Sequence, residues 1–264
     1  MGNEVIAAAE CLLSSRQGKT VQDNLPPSCY PGSAEEAYRV QEELVSRVVI
    51  QHDSRVIGYK LACTNRPLME LLGTDEPFYG CLMEHSTHAS GAELAAADFT
   101  QRIVESEFML EMGADLPASD TPYTAETIAP FVGKLIPAIE VVDHRYTDFT
   151  KVGVNALIAD NAIHGASVLG EPDGEKWKTI DLAAHEVVLQ INGEVVERGS
   201  GANVLGSPLN AMAWLGNRLQ SRGKGLRKGD IVTTGAACPI YHAVAGDRIL
   251  VSFGELGEVD LSFA

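Results

Sequence analysis

Two glutamates stand two residues apart inside an apolar run, Arg102-Ile103-Val104-Glu105-Ser106-Glu107-Phe108-Met109, and no other stretch limits the chain so severely. On a strand, residues two apart point to the same face, so Glu105 and Glu107 project together among apolar neighbours. Like charges on a partly buried face repel, and each is costly to remove from water unless something positive neutralises it. A hard divalent cation with oxygen ligands does this directly. The competing reading is an ordinary solvated strand face. A third carboxylate weighs against it: Glu140 lies mid-strand in Leu135-Ile136-Pro137-Ala138-Ile139-Glu140-Val141-Val142. Asp143 has the opposite parity, so Glu140, with the more apolar flanks, is the one expected to face inward. Three carboxylates without a nearby cysteine or histidine suit Mg²⁺ or Mn²⁺ better than zinc. His85 and His88 fall in a polar stretch and read as loop residues.

Lys60 is the other singular residue, a cation inside the branched apolar segment Val56-Ile57-Gly58-Tyr59-Lys60-Leu61-Ala62. It either binds an anionic substrate group and exchanges a proton with it, or snorkels from a strand end. Charge sharpens the first option. The chain carries 36 acidic against 20 basic residues, a net charge of −16. Such a surface repels nucleic-acid phosphates and anionic lipid heads, and an anionic substrate would need a local metal or lysine to be held. The sequence holds no apolar run long enough to span a bilayer and no secretory signal, so a cytoplasmic protein is expected. Five scattered cysteines without a C-x-x-C pair read as reduced thiols.

Along the chain, Glu4–Ser15 has helical composition, and Ser33 followed by Glu36 opens a second helix after the proline-rich loop at Pro26, Pro27 and Pro31. Asn65, Pro67 and Gly73 frame a short helix, and Ser207 with Pro208 opens a late one. Strands are expected near Arg102–Met112, Lys134–Val142, Ile163–Leu169, Val187–Asn192, Glu194–Arg198, Asp230–Thr234 and Arg248–Phe263. Asn192-Gly193 marks a hairpin between two of them. The pattern predicts a helical N-terminal region over residues 1–53 and a mixed-β catalytic domain over residues 54–264.

In order and spacing, these segments resemble the 2-keto-4-pentenoate hydratase and 4-oxalocrotonate decarboxylase group of the fumarylacetoacetate hydrolase superfamily. The resemblance runs from Ile57-Gly58-Tyr59-Lys60 through Arg102–Phe108, Pro137–Asp143 and Ala159-Asp160-Asn161-Ala162. It continues through Gly206–Asn210 to Thr234-Gly235 and Ala245-Gly246-Asp247. It implies an α+β fold, a mixed β-roll of the fumarylacetoacetase C-terminal kind behind a small helical region. It also implies an Mg²⁺ or Mn²⁺ site at Glu105, Glu107 and Glu140, with Lys60 and Asp75 as catalytic residues. Phe78, Asp160, Asn161, Ile163 and Thr234 are the implied substrate contacts. The implied reaction is metal-dependent addition of water to a 2-hydroxy-2,4-dienoate, giving a 4-hydroxy-2-oxo acid. The alternatives are decarboxylation of a 2-oxo-enedioate and service as a non-catalytic partner subunit, against which intact Lys60 and three intact glutamates speak. A small 2-oxo acid is the expected partner, in a homo-oligomer or a complex with a related lyase. The chain departs from the pattern at Phe78, where hydratases often carry an acid, and at Ile163, where a serine is common. Arg145–Phe149 also looks like the decarboxylase version. The histidine–carboxylate base needed for carbon–carbon bond hydrolysis has no clear place here, His144 and His164 being candidates only in name.

Overall fold

The computed structural model describes residues 2–264. Two helices come first, α1 (Asn3–Gly18) and α2 (Ala34–Gln51). α1 buries Val5, Ala8, Ala9, Leu12 and Ser15, a stripe at helical spacing that packs on α2. Ser33 caps α2 by accepting the Glu36 N–H, while the Glu36 carboxylate turns back to the Gly32 N–H.

Strands follow as β1 (Val56–Ala62), β2 (Phe78–Met83), β3 (Thr87–Ala89), β4 (Ala92–Leu94), β5 (Ile103–Met112), β6 (Val132–Val142) and β7 (His164–Leu169). After them come β8 (Glu186–Ile191), β9 (Glu194–Ser200), β10 (Ile231–Ala236), β11 (Tyr241–His242), β12 (Arg248–Ser252) and β13 (Glu258–Phe263). Short helices α3 (Arg66–Leu72), α4 (Ala125–Ile128) and α5 (Val154–Ala159), and the longer α6 (Pro208–Ser221), complete the set. One sheet has eight strands in the order β2-β1-β10-β5-β6-β7-β3, with β11 pairing β5, and the second has the order β4-β13-β12-β8-β9. The fold is the expected α+β arrangement of curled mixed sheets behind N-terminal helices.

The two sheets bury their residues differently. In the five-stranded sheet, β8 and β13 alternate buried with open positions, the signature of one face against the core and one toward water. In the larger sheet β5 and β6 are buried almost throughout, so every polar side chain on them needs a partner.

Several local expectations hold. Asn192 and Gly193, at φ 53° and 87°, form the tight turn between β8 and β9. Asn65 caps α3, and Gly73 ends it in a left-handed conformation. One expectation is corrected: Arg248–Phe263 is not a single strand. Gly254 and Gly257, at φ 55° and 110°, turn the chain back so that β12 and β13 pair antiparallel.

Candidate metal and substrate site

β5 and β6 lie antiparallel in a register that sets Glu105 directly opposite Glu140 and Glu107 opposite Ala138. Strand alternation then aims Glu105 and Glu107 the same way, toward Glu140, and one oxygen of each carboxylate lies within 4.8 Å of the others. Glu107 and Glu140 are fully buried, while Glu105 keeps an edge on a cavity.

Lys60 reaches the same group from β1, two strands away. It is 1% exposed, and its Nζ lies 3.1 Å from Glu140 Oε1. Between β1 and β5, β10 breaks register between Thr233 and Ala236. That irregularity, of a kind common beside functional sites, turns the Gly235 N–H onto Glu107 Oε2 at 2.7 Å. Gly235 sits at φ 111°, and a side chain there would also collide with the Thr64 hydroxyl, so only glycine serves.

The carboxylate histidine partner was not foreseen. His164 is fully buried at the start of β7, and its Nδ1 lies 2.9 Å from Glu140 Oε1. The expectation of a site without histidine is corrected on this point. Burial lowers the pKa of His164 despite Glu140 beside it, so the neutral ring donates from Nδ1. His164 reaches this position through three consecutive left-handed residues, Asn161, Ala162 and Ile163, at φ 54°, 50° and 53°. Such a run is strained for non-glycine residues, most of all for a β-branched one, and persists only when its surroundings enforce it.

The surroundings here are specific. Asn161 bonds both the N–H and the C=O of Cys81 on the edge strand β2. Arg16, from α1, donates to the Asp160 carbonyl at 2.7 Å, to the Asp160 carboxylate at 2.9 Å and to the His164 carbonyl at 3.3 Å. The Asp143 N–H holds the Ile163 carbonyl. Arg145 joins Asp160 to Asp143 with bonds of 3.0 and 2.9 Å.

Glu140 and Glu107 each spend one oxygen on the protein and leave the other without any partner, Glu140 Oε2 and Glu107 Oε1. Buried, unpartnered carboxylate oxygens are rare and expensive. Beside Glu105 they form an all-oxygen donor set that fits a hard divalent cation.

The titration behaviour has the same origin. Burial pushes Glu105 up to about 7, with Lys60 pulling against it. Burial and then repulsion from Glu140 and Glu105 raise Glu107 well above the carboxylate range. Burial would raise Glu140 too, but Lys60 and His164 outweigh it and hold Glu140 at about 2. Burial alone would lower Lys60, yet Glu140, Glu105 and Glu107 together raise it, so it stays an ammonium.

Above the carboxylates opens a cavity of about 370 Å³, with Lys60 and Glu105 at its charged end. Phe78 and Ile163, both expected at the substrate, line it. The other expected contacts are spent elsewhere. Asp160 is closed off between two arginines, Asn161 between the two polar groups of Cys81, and the Thr234 hydroxyl on the Phe108 carbonyl. Asp75 is exposed on a neighbouring open depression that it shares with Asn65, Pro67 and Trp214, and does not join the carboxylates. His85 stacks on His52 and does not join the carboxylates.

Comparison with known proteins agrees with this arrangement. The model of the Fumarylacetoacetate (FAA) hydrolase C-terminal family matches residues 59–263. The chain is 33% identical to a 2-keto-4-pentenoate hydratase from Burkholderia vietnamiensis over 97% of this chain and 95% of that one. It is 31% identical to a 4-oxalocrotonate decarboxylase from Pseudomonas putida, covering 86% of this chain and 84% of that one. Its fold is similar to that of the solved 4-oxalocrotonate decarboxylase from Pseudomonas putida G7 complexed with magnesium and adipate. There the TM-score is 0.90 and the identity 28%, with 98% of this chain and 97% of the other covered.

Proposed function

The chain belongs to the fumarylacetoacetate hydrolase family, and from that premise we propose that it is a divalent-metal-dependent hydro-lyase that adds water to a 2-hydroxy-2,4-dienoate. The product is a 4-hydroxy-2-oxo acid. One observation carries the reading: the two buried, unpartnered oxygens of Glu107 and Glu140 converge with Glu105, which together with Lys60 lines a cavity.

In this reading Glu105, Glu107 and Glu140 would hold Mg²⁺ or Mn²⁺, which would supply Lewis-acid stabilisation of negative charge on the substrate. Lys60 does the rest of the electrostatic work. Fixed by Glu140 and kept protonated, it sets a positive charge beside the developing enolate and offers a proton at Nζ. His164 orients Glu140 by occupying the oxygen that Lys60 also uses, leaving the other free for the cation. The apolar walls keep bulk water from the reacting carbons.

Decarboxylation of a 2-oxo-enedioate is the second reading, and Phe78 favours it. No carboxylate or histidine other than Glu105 lines the cavity, so an acid–base pair for water is less evident than the electron sink that both reactions share. The roles first assigned to Asp75, Asp160, Asn161 and Thr234 are not carried forward, because their side chains point to other partners or another depression.

Given Mg²⁺ and 2-hydroxypenta-2,4-dienoate, or separately 2-hydroxymuconate, products followed by NMR decide between the readings. A metal-dependent 4-hydroxy-2-oxo acid from the dienoate supports the hydratase. Carbon dioxide from the dioate without hydration of the dienoate moves the assignment to the decarboxylase.

The protein acts in the cytoplasm in this reading. Its five cysteines are free, and among the described residues no helix is long and apolar enough to cross a membrane. It assembles with copies of itself or with a related lyase, a view supported by exposed Val195 and Val196 on β9, the edge of the smaller sheet. Light scattering at several concentrations checks the assembly.

A further inference from the structure

We propose that the cavity above the glutamates takes the substrate's tail as an uncharged hydrocarbon chain and turns away a second carboxylate. This deepens the reading just given, since it takes the 2-oxo acid head to be held at Glu105, Glu107, Glu140 and Lys60.

The walls carry the argument. Leu68 and Leu72 come from α3, Phe78 opens β2, Phe149 follows β6, Ile163 closes the left-handed turn and Ile240 precedes β11. Among the lining residues the only charged side chains are Lys60 and Glu105, both at the carboxylate end. Cys63 and Cys238 also line the space, but burial pushes their thiols up to about 12 and about 11, so they stay neutral. Thr64 and Asn65 lie where the cavity meets the neighbouring depression, and the Asn65 side-chain oxygen is taken by the Leu68 N–H.

A dioate with its first carboxylate at the glutamates must place its second among these apolar groups, with no cation to receive it. An unpaired carboxylate in such surroundings is strongly disfavoured. Reaching past the rim does not help. The depression beyond holds Asp75 and Glu76, and its one guanidinium, Arg66, is exposed and already bonded to Glu70. Lys60 cannot serve both ends, because its ammonium is held by Glu140 at 3.1 Å. A hydrocarbon tail meets the opposite conditions and gains from every methylene it buries.

The test uses the whole protein with Mn²⁺ and three unreactive probes measured by calorimetry: pyruvate, 2-oxohexanoate and 2-oxoadipate. Pyruvate reports the head alone, and the two longer acids differ only in the terminal group. The expected result is Mn²⁺-dependent binding of all three, with 2-oxohexanoate at least about tenfold tighter than either of the others. Phe149→Arg should narrow or invert the gap between the two longer acids. If 2-oxoadipate binds the unaltered protein as tightly as 2-oxohexanoate, the tail proposal is overturned while the head reading stands. Rapid release of carbon dioxide from a 2-oxo-enedioate, at a rate matching turnover of the dienoate, overturns it as well. If Mn²⁺ promotes binding of none of the three, the head reading fails and the tail proposal falls with it.

Discussion

Two buried charge clusters beside the larger sheet differ in one respect. Around Asp160, two carboxylates meet two guanidiniums, and each of the four carboxylate oxygens has a donor: Arg16, Arg145 twice, and the Gln101 N–H. Around Glu140, three carboxylates meet one ammonium and a neutral imidazole, and two of the buried carboxylate oxygens have none. The first cluster is closed and needs nothing further. The second is short of positive charge in a place where water cannot supply the deficit, which is how a cation site differs from a structural ion network. Burial of charge alone does not mark a functional site; imbalance does.

The comparison breaks most sharply at Glu107. Glu107→Gln should abolish most of the rise in Tm that Mn²⁺ gives the unaltered protein, read by thermal melts with and without the ion. An unchanged metal response would place the cation elsewhere. Arg145→Met should do the reverse. It takes from Asp143 its only guanidinium and from Asp160 one of two, and should cost about 3–5 kcal/mol in urea melts. The Mn²⁺-driven increment should survive it, and a variant that kept its stability but lost the metal response would erase the distinction.

His164 lies between these extremes. His164→Phe should weaken Mn²⁺ binding about 10–100-fold, and His164→Asn, which can keep an N–H near the Nδ1 position, should lose less. Equal affinities in the two variants would mean that the bond to Glu140 has no bearing on the cation.

The smallest effect concerns pH in the metal-free protein. Glu105 is pushed up to about 7 and Glu107 is raised well above the carboxylate range, so at these two groups the folded state binds protons more readily than the unfolded one. Their contribution is most favourable below about 4.5 and is lost as pH rises toward 7 and beyond. Glu140, held at about 2, acts in the other direction only below about 4.5. Burial also lowers His85, His144 and His164, whose contributions rise with pH up to about 6.5, so the glutamates show above that: the Tm of metal-free protein should fall by about 2–4 °C between pH 7 and 8. Saturating Mn²⁺ should remove that slope, because it binds the ionised carboxylates. A flat metal-free profile would contradict the charge deficit.

What the sequence made legible follows from periodicity. The parity of Glu105 and Glu107, the inward place of Glu140, the hairpin at Asn192-Gly193 and the caps at Ser33, Asn65 and Ser207 are all local patterns, and the structure contains them. Strand β2 passed unnoticed because Phe-Tyr-Gly-Cys-Leu-Met is buried on both faces and shows no alternation. β3, β4 and β11 are too short to leave a period at all. The short helix α5 is an apolar run, and by periodicity such a run is indistinguishable from a buried strand.

The site residues divide in the same way. His164 meets Glu140 only because an irregular turn redirects the chain, and Asp160 meets an arginine 144 positions away. Neither encounter has a local signal. A buried aspartate in a recognisable motif therefore looked like a substrate contact when its oxygens were already taken.

Arg16 bears on how far this protein can be treated as interchangeable parts. The family match begins at residue 59, and every glutamate of the site lies after that point. Yet the guanidinium that fastens the left-handed turn comes from the first helix. A graft or truncation that preserved the recognisable core would keep all three glutamates and lose the brace that fixes one of their neighbours. The functional unit is thus larger than its family signature. Exchanging N-terminal segments between relatives should succeed only when the donor brings a cation that reaches the Asp160 and His164 carbonyls.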